Sequence, residues 1–102
     1  MEPLRFRQGD VLLVRAEPLD NQNPRHLPHL VLAEGEATGH KHQITSGAAE
    51  LIERNGILFL RVLSETATLS HEEHSQIQIP QGTWMVRIQR EYEPTGIRLV
   101  AD

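Results

Sequence analysis

The chain has 102 residues, enough for one domain (1–102) with a modest core. Its formal net charge of −4 and pI near 5.8 argue against a nucleic-acid-binding face. It has no cysteine, which excludes disulfides, thiolate zinc sites and cysteine nucleophiles and leaves histidine, carboxylate and water as metal chemistry.

In chain order, Gln8-Gly9-Asp10 is a turn signal leading into Val11-Leu12-Leu13-Val14, a run of β-formers apolar on both faces. Residues 17–28, with Pro18, Pro24 and Pro28, read as a loop, and the flanking His26 and His29 read as solvent-facing. His29 to Ala33 is expected as a strand. A turn at Thr38-Gly39 follows, then a strand from His40 to Thr45 and a break at Gly47.

Asn55-Gly56 is the clearest local signal, because that pair suits a two-residue type I′ hairpin turn. Zipping outward pairs Ile52 with Phe59, Leu51 with Leu60 and Glu50 with Arg61, the last an opposite-charge pair. Thr66 to Ser70 reads as a short strand, and Gln76 to Ile79 alternates as another. Pro80-Gln81-Gly82 reads as a turn into a long strand from Thr83 to Tyr92. On that strand Trp84, Val86 and Ile88 share one face, and parity adds Arg90 and Tyr92 to it. Pro94-Thr95-Gly96 reads as a turn before a terminal strand from Ile97 to Val100. With no helical period, the expected fold is all-β: a small antiparallel barrel or two-sheet, jelly-roll-like sandwich of eight or nine short strands. Apolar residues on both faces from Ile57 to Leu63 suggest a homo-oligomer, against the alternative that loops cover the second face.

The six histidines fall in three pairs, His26/His29, His40/His42 and His71/His74. On a strand, His40 and His42 share a face while Lys41 points away, so both imidazoles can reach one ion. His71 and His74 converge only if His71-Glu72-Glu73-His74 is a helical or irregular turn. Four nitrogens, or three with Glu72 or Glu73 nearby, make a candidate site for a divalent transition metal: zinc, nickel, iron or copper. A three-ligand form leaves a position for water.

Three functions compete. The first is metal binding, extending to hydrolysis of a small-molecule substrate by metal-activated water. The second is metal-free histidine acid/base chemistry, as in a phosphodiesterase or ribonuclease, with Lys41 or Arg90 holding phosphate. The third is a non-enzymatic binding or assembly module. Catalytic candidates are Glu72, Glu73, Lys41 and Arg90, although pairing with Glu34, Glu36 or Glu50 is the ordinary fate of a covered Arg90. No apolar run has the length of a membrane span and residues 1–7 lack a signal-peptide core, so a cytoplasmic protein is expected.

Two resemblances follow from these motifs. His40-x-His42 with Pro80-x-Gly82 ahead of a long strand is similar to a cupin-type small jelly roll, which implies that fold. The chain lacks the cupin glutamate shortly after the histidine pair and the histidine after Pro-x-Gly, so the cupin ligand set does not transfer. R-Q-G-D-V-L-L (Arg7 to Leu13), T-G-H-K-H (Thr38 to His42), H-E-E-H (His71 to His74) and Q-R-E-Y (Gln89 to Tyr92) together resemble a family of small uncharacterised bacterial and phage-borne proteins. That resemblance implies no activity.

Overall fold

The protein is described by a computed structural model covering residues 4–20, 24–35, 37–88, 91–93 and 96–98, the last two segments as backbone. Its described strands are β1 (Arg5–Gln8), β2 (Val11–Ala16), β3 (Arg25–His26), β4 (Val31–Glu34), β5 (Lys41–Ser46), β6 (Ala49–Arg54), β7 (Ile57–Ser70) and β8 (Ile77–Ile88). A separate antiparallel ribbon pairs β9 (Glu91–Glu93) with β10 (Gly96–Arg98). The first eight form one antiparallel sheet in the order β1-β2-β8-β7-β5-β4, with β6 beside β7 and β3 beside β6. The all-β antiparallel expectation holds, with eight of the described strands in one sheet.

The β6–β7 hairpin has the expected register: Ile52 opposes Phe59, Leu51 opposes Leu60 and Glu50 opposes Arg61. Asn55 and Gly56 both take positive φ, at 52° and 78°, which a type I′ turn requires. Arg61 and Glu50 form an ion pair across the hairpin. Glu50 also lies 3.3 Å from His26 Nε2.

Two expected breaks are absent. Thr66 to Ser70 is the last five residues of the 14-residue β7, and Pro80-Gln81-Gly82 lies inside β8 rather than forming a turn. Between the Val62–Gly82 and Thr66–Pro80 pairs, three residues of β7 face one of β8, so the ladder bulges and bends there. Pro80 fits because a bulge excuses the missing N–H. The Gln81 amide donates to Leu63 O at 2.7 Å, and the Trp84 indole N–H donates to Pro80 O at 3.0 Å. Local turn chemistry suggested two separate strands on each side. Tertiary pairing joins them.

The bend also divides β7 between two neighbours. Its first half pairs with β6 and its last residues with β5, while β8 runs along the other edge. Val11, Leu13, Leu51, Leu60, Leu69 and Trp84 belong to the core. Trp84 meets Phe6 edge-on at 5.3 Å, and the Arg15 guanidinium lies 4.4 Å from its ring centre. Trp84 and Val86 are buried as parity requires. β8 is described as far as Ile88; Gln89 and Arg90 lie outside the described residues, as do Pro94, Thr95 and Val100. In the run Ile57 to Leu63, Ile57 and Leu63 are exposed while Phe59 is half-buried. No helix is long and apolar enough to cross a membrane among the described residues.

Candidate functional site

The β4–β5 connection is closed by Gly35 N–H to His40 O at 2.7 Å and Gly39 N–H to Gly35 O at 3.0 Å. The Thr38 hydroxyl accepts the His40 N–H at 3.1 Å, which positions the histidine just before β5. His42 follows inside β5 and is 2% exposed, whereas Lys41 between them is exposed. The alternation expected of H-x-H is therefore present.

His71-Glu72-Glu73-His74 forms an irregular bend between β7 and β8. The Glu73 N–H donates to His71 Nδ1 at 3.0 Å, folding the backbone back on the ring. Glu72 clasps this bend to β5, its carboxylate oxygens accepting the Lys41 N–H at 3.1 and 3.2 Å. That bond holds the Glu72 carboxyl below its ordinary range against the opposing cost of desolvation, with help from the nearby His40 and His71.

The four histidines of the two motifs meet in one cluster. Ring centres of His71 lie 4.2 Å from His42, 4.6 Å from His74 and 5.5 Å from His40, and those of His42 and His74 are 5.9 Å apart. His71, like His42, is buried. Two ring nitrogens, His40 Nδ1 and His74 Nε2, are buried without a hydrogen bond. Glu73 Oε1 lies 3.5 Å from His40 Nδ1, an ion-pair distance rather than a hydrogen bond. Unsatisfied buried nitrogens are uncommon and demand an explanation.

Two residues of the site were not singled out from the sequence. On β1, Arg5 and Arg7 face solvent while Phe6 and Gln8 turn inward. Gln8 is 3% exposed; its Oε1 lies 2.9 Å from His42 Nδ1, and its amide nitrogen donates to Leu69 O at 3.0 Å and Ser75 O at 2.9 Å. A glutamine on the apolar face of an alternating R-F-R-Q strand was the available signal. Gly9 follows with φ of 56°, and a Cβ there would sit 2.6 Å from His74 Nε2 and 3.2 Å from His42 Cε1. The turn read from Gln8-Gly9-Asp10 is thus a wall of the cluster.

The remaining candidates lie elsewhere or beyond view. His26 and His29 are exposed, His29 Nδ1 accepting the Val31 N–H at 3.1 Å. Arg90 is outside the described residues. As the side chains stand, no group of three or more His, Asp or Glu among the described residues is disposed to hold a metal ion.

No curated protein and no solved structure matches the chain. A family model does match residues 7–89, so three of the four sequence motifs, all those that build the histidine cluster, lie within the matched region. The chain belongs to the family described as a domain of unknown function, DUF8820.

Proposed function

We propose that the protein binds a divalent transition metal (zinc, nickel, iron or copper) at the cluster of His40, His42, His71 and His74. The observation that carries this reading is the pair of buried nitrogens, His40 Nδ1 and His74 Nε2, left without hydrogen bonds among four imidazoles. Leaving such groups unsatisfied costs about 1–3 kcal/mol each, and a metal ion is the ligand whose chemistry suits bare imidazole nitrogens. The spacing supports it: nitrogens about 2.1 Å from one tetrahedral zinc put ring centres on the order of 5 Å apart. The separations of His71 from the other three rings and of His42 from His74 run from 4.2 to 5.9 Å. In a three-ligand form, with the fourth position left to water, the centre would suit hydrolysis of a small-molecule substrate. Cupin likeness has no part in this proposal, since Pro80-Gln81-Gly82 is strand.

Metal-free acid/base chemistry at the same rings is the second reading, favoured by the lack of three donors already disposed around one point among the described residues. Zinc titration with metal analysis of the purified protein separates the two. The metal reading expects about one ion per chain, lost in His42→Ala; a protein that takes up no metal rejects it.

A further inference from the structure

The sheet has β1, β3 and β4 at its margins, and the three are not alike. β3 is two residues long, and β4 is interrupted by a register shift between Val31 and Ala33. Shortness and bulges are the usual devices that close an edge to further pairing. β1 has neither of them beyond its modest length. Arg5, Phe6, Arg7 and Gln8 pair with β2 in unbroken register, and among the described residues no strand pairs with its other side.

The turn after β1 fixes which backbone groups lie on that open side. Gln8 opposes Val11 across Gly9-Asp10, and a two-residue hairpin loop closes on a hydrogen-bonded pair. By alternation Phe6 and Leu13 form the next such pair, and the Arg15 N–H donating to Leu4 O at 2.8 Å marks the one after. Arg5 and Arg7 fall between them. Their N–H and C=O groups therefore point away from β2, along the open edge.

The same two residues bring charge to that edge. Arg5 and Arg7 are exposed on the outer face of the sheet, opposite to the face on which Gln8 meets the histidine cluster. This edge is thus separate from the proposed metal centre. Arg87 of β8 lies in the same row, since it and Arg7 both oppose Leu12 of β2. Two further arginines of the outer face are matched by acids, Arg54 by Asp20 and Arg61 by Glu50. Among the described residues no carboxylate pairs with Arg5, Arg7 or Arg87. Beside the arginines, Leu4 is exposed and Phe6 half-buried.

Arginines on an edge exclude a like strand, because a second copy of β1 laid there would set arginine against arginine. They also select an acidic one. We propose that β1 is a docking edge for an extended segment of a partner protein in which acidic and apolar residues alternate. The segment adds as a strand and exchanges hydrogen bonds with the N–H and C=O groups of Arg5 and Arg7. Its acidic side chains stand on the outer face opposite the two guanidiniums. Its apolar side chains extend the face that carries Leu4 and Phe6.

Amide hydrogen exchange followed by NMR on the full chain tests this, with a short capped peptide of alternating glutamate and valine as the probe. At saturation the peptide should slow exchange at the Arg5 and Arg7 amides about tenfold or more. The Phe6 and Gln8 amides, already bonded to β2, should not change. A lysine–valine peptide should bind about tenfold more weakly, and Arg5→Glu/Arg7→Glu should reverse that preference. The exchange pattern is read on the wild-type chain and does not depend on the variant folding. No binding of the glutamate peptide at millimolar concentration overturns the proposal, as does equal binding of the two peptides. Binding that leaves both arginine amides exchanging freely is plain electrostatic attraction and overturns strand addition. Protection of those amides without peptide, rising with protein concentration, puts a second copy on the edge and also overturns it.

Discussion

Gln8 Oε1 lies 2.9 Å from His42 Nδ1, and the rest of the Gln8 amide is tied to Leu69 O and Ser75 O. One side chain on β1 thereby joins the end of β7, the segment before β8 and the buried histidine of β5. The bond orients the His42 ring and links the site to the sheet, so site geometry and local stability share a residue.

Gln8→Ala should therefore weaken zinc binding about 10- to 100-fold, the usual effect of losing a partner that orients a ligating histidine. It should also lower unfolding stability by about 1–3 kcal/mol, since two carbonyls and an imidazole lose a buried partner. Zinc titration and urea unfolding measure the two effects. Stability loss with unchanged affinity would mean that Gln8 serves the fold alone.

Gly9 and Gly56 make a matched pair of tests, because both have positive φ but only Gly9 is crowded. A Cβ at Gly56 meets nothing within 4 Å, whereas one at Gly9 comes within 2.6 Å of His74 Nε2. Gly56→Ala should lose on the order of 1 kcal/mol from backbone strain alone, with zinc affinity unchanged. Gly9→Ala should lose more and should weaken zinc binding. Equal effects in the two variants would show that the Gly9 turn does not bear on the histidines.

Glu72 supplies a pH dependence whose sign is set. Its carboxyl is held below the ordinary value of 4.5, chiefly by the Lys41 N–H. A depressed folded value means that the ionised clasp contributes above about pH 4.5 and is lost as pH falls through the lower folded value. In the metal-free protein the Lys41 amide should therefore shift and exchange faster on acidification below that range. Glu72→Gln should flatten the dependence. An unchanged Lys41 titration in the Gln variant rejects the clasp.

Trp84 tests the bend of the sheet. It is fully buried and donates to Pro80 O within the bulged stretch of β8. Trp84→Phe removes the donor and part of the buried ring and should cost about 1–3 kcal/mol in urea unfolding. A loss below about 0.5 kcal/mol would show that the indole N–H does not hold the corner.

Much of the fold was legible in the residues. The Asn55-Gly56 turn and the hydrophobic pairs beside it specify the β6–β7 register, because a one-residue slip would turn Leu51 and Leu60 out of the core. The H-x-H spacing likewise specifies that His40 and His42 share a face, and H-x-x-H that His71 and His74 need a bend to meet. Misreadings fell where a local signal was overruled by pairing partners. Pro80 and Gly82 favour a turn in isolation, yet opposite β7 they form a bulge within a continuous strand.

Sequence alone therefore determined the class of fold, the hairpin register and the internal geometry of each histidine pair, since these depend on residues a few positions apart. Only the tertiary structure decided that the pairs meet and that Gln8 and Gly9 complete their surroundings. Gln8 and His42 are 34 residues apart, and no propensity or period carries information over that distance. It also assigned unlike roles to like residues. His42 Nδ1 meets the Gln8 amide oxygen and His71 Nδ1 accepts the Glu73 N–H, each partner placed by the sheet around it.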